Sequence, residues 1–384
     1  MKPLVSILIP AHNAQTWIAD TIRSALAQTW ENKEIIVIVD GSTDRTPEIV
    51  DRFTSQGVIV HRQERSGAPT ARNVAFGLSR GDYIQWLDAD DLLSPNKIER
   101  QLGALTEHDT RRTLLSCPWG KFFYRVEAAR FTPCPLWYDL SPKEWLLRRM
   151  ESGSHMQTAT WLVSRELTEL AGPWDARLVV DDDGEYFCRV KRMADGIRFV
   201  PAARVYYRHH TEQRVSVVGT SRAKQEALLL SSQLCVGYML SLEDSDRSRA
   251  ACLAFLQKRM LDFHPNSVDL VAQMQESAAA LGGRLEFPRS PRRYIWIQDH
   301  LGWGTASLTR RCWRTVKIAA MQWFDRALYQ LGEMVRNETD SGKLADGGQH
   351  TRMGPELGNQ LGAAIPTSVS QTSTSLSKNS SSIE

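Results

Sequence analysis

Cysteine is scarce and scattered. The six residues Cys117, Cys134, Cys188, Cys235, Cys252 and Cys312 make no C-x-x-C pair, so neither a zinc-ligand spacing nor a disulfide framework is indicated, and a reducing compartment fits. Long apolar runs are also missing: no window approaches the roughly 18 apolar residues a membrane-crossing helix needs. The run from Leu4 to Pro10 is too short for a secretory signal, and His12 and Asn13 stop it. The expectation is a cytoplasmic protein whose contact with a membrane is at most peripheral. An excess of one charge is lacking as well. The net charge of +3 is too mild for a nucleic-acid binder, which concentrates Lys and Arg on one face. What is present is 42% hydrophobic residues over 384 positions, enough core for one large or two moderate domains.

Residues 4–10 and 34–40 are short, β-branched, nearly continuous apolar runs, as expected of strands covered on both faces of a parallel sheet. Between them Trp17, Ile18, Ile22, Ala25 and Leu26 recur at helical spacing. A helix at 47–53, a strand at 58–60, a helix at 71–78 and a strand at 83–87 continue the alternation, which predicts an open, mostly parallel sheet flanked by helices. Ligands bind such sheets in the crevice at the carboxyl ends of the strands, where Asp40 and Asp88 stand. Residues 94–105 read as a helix and 113–125 as one aromatic-rich strand. Short helices at 145–150 and 164–171 and a late strand at 205–207 close the first domain, 1–215. A helical region, 216–336, follows, and 337–384 is rich in Ser, Thr, Gly, Asn and Gln, which predicts a disordered tail.

Four segments carry chemistry. In Asp88-Ala89-Asp90-Asp91, three carboxylates crowd into four positions after a buried strand. Like charges this close raise one another's pKa, and a magnesium or manganese ion shared with substrate phosphates is one reason to tolerate them. The other is helix capping by Asp90 and Asp91 ahead of 92–101. In Asp40-Gly41-Ser42-Thr43-Asp44, Asp40 could accept from a nucleobase imide and Gly41 could let backbone approach a ligand, while Asp44 serves as a helix cap. The loop from Arg65 through Gly67 to Arg72 offers helix N-terminal amides and two guanidinium groups to a phosphate, or only solvated arginines. Finally, Asp181-Asp182-Asp183-Gly184-Glu185 opens a helix. If Phe187 and Val190 face a core, Asp183 is aimed at the crevice as a proton acceptor; the alternative is again a capping cluster.

In this order and spacing, the segments from Val5 to Arg189 resemble glycosyltransferase family 2. The resemblance implies a GT-A fold, that is, an α/β architecture with a Rossmann-like sheet, here followed by a C-terminal helical extension. It implies an inverting transfer of sugar from a nucleotide-diphosphate donor, UDP-linked by default, to a hydroxyl of a glycan or lipid-linked glycan. Asp183 matches the catalytic base, Asp90 the direct metal ligand and Asp88 the first acid of the D-x-D pair, closer to ribose or sugar. Asp40 matches the base-reading aspartate. Pro10, Ala11, His12 and Asn13 line the nucleotide pocket, with Gly67, Arg72, Ala89, Asp182 and His210 as further donor contacts. Two positions depart from the family pattern: Val39 stands where a second acid is common, and Asp182 replaces the usual Glu. A non-catalytic nucleotide-sugar-binding or scaffold protein on the same fold is the alternative. A nucleotidyltransferase is disfavoured because Pro10-Ala11-His12-Asn13 replaces the Gly-rich triphosphate loop.

The C-terminal third adds a locally basic stretch at 289–326. From its second half onward Trp313, Val316, Ala320, Trp323, Ala327 and Leu331 recur at helical spacing. Such a helix, within 289–336, lies either in an anionic membrane interface, which suits a lipid-linked acceptor, or against the first domain or a second subunit.

Overall fold

Apolar runs without polar alternation make strands where both faces are covered, and the computed structural model shows that cover on the first two strands. β1 (Val5–Ala11) and β2 (Lys33–Asp40) run parallel, Ile7 opposite Ile35 and Ile9 opposite Val37. Side chains alternate between two cores: Ile7, Ile9, Ile35 and Val37 enter one, while Leu8, Ile36 and Ile38 enter the other. α1 (Ile18–Leu26) buries Ile18, Ile22 and Ala25. α2 (Thr46–Asp51), β3 (Val58–Gln63), α3 (Ala68–Leu78) and β4 (Tyr83–Trp86) extend the alternation. The strand order is β3-β2-β1-β4, all parallel, and Val163–Ser164 adds an antiparallel edge beside β4.

Beyond β4 the chain departs from the sequence expectation in two places. Leu92 and Leu93 form a strand, β5 (Leu92–Leu93), and α4 (Lys97–Gly103) begins only after Pro95, which disfavours helix in the residue before it. The strand expected at 113–125 is two strands, β6 (Thr113–Ser116) and β7 (Trp119–Phe122), in different sheets. The break falls at Cys117-Pro118, where proline offers no N–H to a ladder. β8 (Arg130–Phe131), α5 (Pro142–Ser152), β9 (Val163–Ser164), α6 (Arg165–Ala171), α7 (Asp182–Met193), β10 (Gly196–Phe199) and β11 (Val205–Arg208) follow. β10 pairs with β6, and β5-β11-β7-β8 form a third sheet.

The helices after β11 are α8 (Arg222–Leu242), α9 (Asp246–Arg259), α10 (Val268–Ala280) and α11 (Arg292–Asp346). Leu228, Cys235, Phe255 and Met274 from α8 to α10 share one core with Trp86, Trp145 and Tyr186, so these helices cover one face of the main sheet. The structure describes residues 2–209, 221–263, 267–286 and 292–346. Residues 1–332 form one compact unit and 333–384 a second. α11 runs to Asp346, past the point where composition predicts disorder; the rest of that tail, and His210, lie outside the described residues. No described helix is long and apolar enough to cross a membrane.

Candidate active site

The carboxyl ends of β1 and β2 are laced together by short polar side chains. Asn13, in the left-handed region at φ 47°, accepts from Thr43 N through its side-chain oxygen at 2.8 Å, and its own N–H donates to Ser42 Oγ at 3.1 Å. Ala14 N donates to Thr46 Oγ1, and Asp44 accepts from both Gln15 N and Thr46 N, which accounts for Asp44 as a turn residue at the head of α2. His12 Nδ1 lies 2.7 Å from the Asp40 carbonyl oxygen. A carbonyl can only accept, so Nδ1 carries the proton. Pro10 and Ala11 end β1 beside these loops.

Asp40, 2% exposed, clasps the loop leading into α3. Its Oδ1 accepts from Gln63 Nε2 at 2.8 Å and Ser66 N at 2.7 Å; its Oδ2 accepts from Gly67 N at 2.9 Å and faces Arg65 Nη1 at 3.5 Å. Two of the amides at the start of α3 are therefore spent on Asp40. The close backbone approach expected at Gly41 is made from within the protein: φ is +57°, and a Cβ there would lie 2.6 Å from Arg65 N.

The acidic turn after β4 caps no helix, since β5 follows it directly. Asp91 N closes the turn on Asp88 O, and Thr21 Oγ1 donates to Ala89 O. Asp91 is fully buried; its Oδ1 accepts from Arg208 N at 3.0 Å, while its Oδ2 has no hydrogen-bond partner. Burial, followed by Asp90 and Asp88, holds the Asp91 carboxyl well above the ordinary range. Burial also raises Asp88, against the pull of Arg72.

The second acidic cluster begins α7, where Tyr186, Phe187, Cys188 and Val190 are buried and fix the helix face. The residue at its N-cap position, Asp181, makes no side-chain cap to this helix. Asp182 and Asp88 share one cation. Arg72, 5% exposed, donates through Nη2 to Asp88 Oδ1 at 2.7 Å and through Nη1 to Asp182 Oδ2, with its guanidinium 4.3 Å above the Trp174 ring. Although burial works against its charge, Asp182 and Asp88 raise the Arg72 pKa. Asp183 is half-buried, with Thr158 Oγ1 3.4 Å from Oδ2 and Gly184 N 2.8 Å from Oδ1. Burial, then Asp182 and Asp181, push its carboxyl up to about 7, against Arg72.

Within this network Asp88, Asp90, Asp91, Asp182 and Asp183 face the guanidinium groups of Arg72 and Arg208. Burial holds Asp91 and Asp183 toward their neutral forms, and the all-oxygen pair Asp88 and Asp90 is of the donor type that takes magnesium or manganese through one or two carboxylates. Among the described residues no ready group of three His, Cys, Asp or Glu ligands is assembled.

Sequence reasoning missed two supports. Arg208 donates through Nε to Asp90 O at 3.0 Å and lies over Trp17 and Phe122, holding the acidic turn from β11. Asp181, at φ 57°, accepts from Ser231 Oγ at 2.6 Å on α8 and from Arg259 Nη2 at 2.8 Å on α9. Burial would raise Asp181, but Arg259 and Arg149 hold it below the usual range. Neither Arg208 nor Arg259 has a local motif, and the positive φ of Asp181 is visible only in the folded chain.

The family model for glycosyl transferase family 2 matches residues 6–157, from β1 through the acidic turn to the residue before Thr158. The chain carries a family 2 glycosyltransferase domain. This glycosyltransferase domain is 40% identical over 116 residues to an uncharacterized glycosyltransferase of Rickettsia typhi, a stretch that covers 30% of this chain and 36% of the relative. The putative teichuronic acid biosynthesis glycosyltransferase TuaG of Bacillus subtilis is 36% identical over 135 residues, covering 34% of this chain and 51% of TuaG. The chain thus spans 36% and 51% of the length of these two relatives. S. aureus TarS 1–349, solved in complex with UDP-GlcNAc, superposes with a TM-score of 0.58 at 17% identity over 72% of this chain and 83% of that one. That likeness is one of fold: an α/β GT-A architecture. Asp181, Asp182, Asp183 and the helices that hold them lie beyond the stretch matched by the glycosyltransferase family model.

Proposed function

We propose that this chain is an inverting glycosyltransferase that moves a sugar from a UDP-linked donor to a hydroxyl of a glycan or lipid-linked glycan, with Asp183 as general base. The observation that carries this reading is the Arg72 bridge. One buried guanidinium joins Asp88 of the acidic turn to Asp182, the neighbour of Asp183, so donor-side acids and candidate base belong to one rigid network. The family 2 domain supports nucleotide-sugar chemistry, and TarS, whose structure holds UDP-GlcNAc, supports a UDP donor.

In the proposed reaction the acceptor hydroxyl gives its proton to Asp183 Oδ as its oxygen attacks the anomeric carbon from the face opposite the diphosphate, and configuration inverts. A carboxylate whose pKa lies near 7 suits this step, being substantially ionised at working pH yet basic enough to accept. Asp90 and Asp88 would hold magnesium or manganese, which supplies positive charge beside the departing diphosphate. Arg72 keeps Asp182 and Asp88 apart and oriented, and Thr158 orients Asp183. Asp40 and Asn13 hold the loops at the nucleotide end of the crevice.

The test is a panel of nucleotide sugars offered to the purified protein with and without magnesium or manganese. Hydrolysis or transfer from a UDP-sugar that needs the ion supports the proposal; turnover of no nucleotide sugar in the panel contradicts it.

A further inference from the structure

α11 carries two faces that do different things. Asp325, 7% exposed, is the anchor of one. Its Oδ2 accepts from Tyr124 N at 2.9 Å and Arg125 N at 3.2 Å, and its Oδ1 from Arg125 Nε at 2.8 Å. On the same face the Tyr329 ring lies 6.1 Å from that of Tyr124, which is 5.5 Å from Trp17, the ring under Arg208. The helix is therefore fastened to the residues that hold the acidic turn.

At 3.6 residues per turn, Trp313, Val316, Ala320, Trp323, Phe324 and Leu331 fall on the side away from Asp325. They are not covered: Trp313 is 64% exposed, Val316 63%, Trp323 72%, Phe324 60% and Leu331 55%. Packing against the chain's own first domain does not account for the stripe, because that docking uses the opposite face. Lys317 and Arg310 flank the stripe on one side and Arg326, whose guanidinium carbon lies 5.9 Å from the Tyr124 ring centre, on the other; Asp325, the one acid between Trp313 and Leu331, is turned inward and paired with Arg125. Large aromatic and aliphatic side chains between two basic margins match a bilayer with anionic headgroups: the rings enter the interface while Lys and Arg extend to phosphates.

We infer that α11 lies flat on an anionic membrane surface, with Trp313, Val316, Trp323, Phe324 and Leu331 inserted and Arg310, Lys317 and Arg326 at the headgroups. A neutral apolar partner, such as a second copy of the same stripe, would bring the basic margins together and is disfavoured by that repulsion. Under the transferase reading above, on which this last step alone rests, the acceptor is carried on a lipid and presented beside the crevice.

Flotation of the full-length protein with phosphatidylcholine vesicles, and with vesicles that also contain phosphatidylglycerol, tests the inference. The protein is expected to float with the anionic vesicles and to be released by raised salt. Trp313→Ser with Trp323→Ser abolishes flotation. Arg310→Ala with Lys317→Ala lowers the partition coefficient about 25-fold, at about fivefold for each basic residue. Thermal unfolding of each variant without lipid should match the parent, because these side chains are exposed. Failure of the parent protein to float with anionic vesicles overturns the inference. So does a lipid-free dimer, seen by sedimentation velocity, that Trp313→Ser with Trp323→Ser converts to monomer, since the stripe would then belong to a second copy. Neither outcome bears on nucleotide-sugar turnover, which is measured without lipid.

Discussion

Arg72 and Asp182 meet across two elements, α3 and α7, and the same guanidinium reaches Asp88 after β4. Removing the cation leaves two enclosed carboxylates facing one another. Arg72→Met is expected to lose about 3–5 kcal/mol of stability in urea unfolding near neutral pH, the usual cost of breaking a buried pair by deleting one partner. A neutral effect at pH 7 would show that the bridge is not a structural joint.

Asp183 titrates in the opposite sense from a stabilising carboxylate. Its folded pKa of about 7 lies above the unfolded value near 4, so the folded state holds the proton first. Stability associated with that proton is present in full below pH 4 and is lost as pH rises through about 7. Asp183→Asn should therefore be more stable than the parent at pH 8, by about 1–3 kcal/mol, and the two should converge toward pH 4. The range is smaller than full linkage because the group is half-buried and solvent screens it. Paired melting curves at pH 4, 6 and 8 check this.

Under the proposed mechanism the same ionisation sets the rate. kcat/KM for transfer is expected to rise with pH through a one-proton step near 7 and to flatten above it, because only ionised Asp183 accepts the acceptor proton. A profile flat from pH 5 to 9 would remove Asp183 as the base.

Arg259 stands far from the donor loops in sequence yet holds Asp181, the residue before α7, at 2.8 Å. Arg259→Ala frees a non-glycine residue from the positive φ it occupies and lets the start of α7 shift. A misplacement of about 1 Å costs up to about 100-fold in turnover, so kcat should fall by about 10–100-fold with donor affinity little changed. Steady-state kinetics with calorimetric donor binding separates this from loss of folded protein.

Much of the first half was legible because strands covered on both faces carry unbroken apolar runs, as Ile35 to Val39 do, and α1 keeps a clean apolar stripe. The two-residue strands β5 and β9 have no period to read. The split of β6 from β7 hangs on the single residue Pro118. Both acidic clusters stood out by crowding alone, but what holds them did not. Arg208 meets Asp91 across 117 residues and Arg259 meets Asp181 across 78, separations at which no local pattern survives. Asp40 was conspicuous as an acid at a strand end, yet no local pattern indicated that Gln63, Ser66 and Gly67 would occupy its carboxylate.

The metal proposal is tested by donor binding. Asp90→Ala should abolish the enhancement of UDP-sugar affinity by magnesium or manganese in isothermal titration while leaving the fold intact. Equal affinity with and without the ion in the parent protein would contradict a metal-bridged diphosphate.

The central claim, that Asp183 takes the acceptor proton, is tested most directly by comparing Asp183→Asn with the parent in a transfer assay and a donor-binding titration run side by side. The account predicts donor affinity within about twofold and transfer lowered by at least about 1,000-fold, the scale of a lost general base with its neighbouring electrostatics. Near-parental transfer by Asp183→Asn would contradict it.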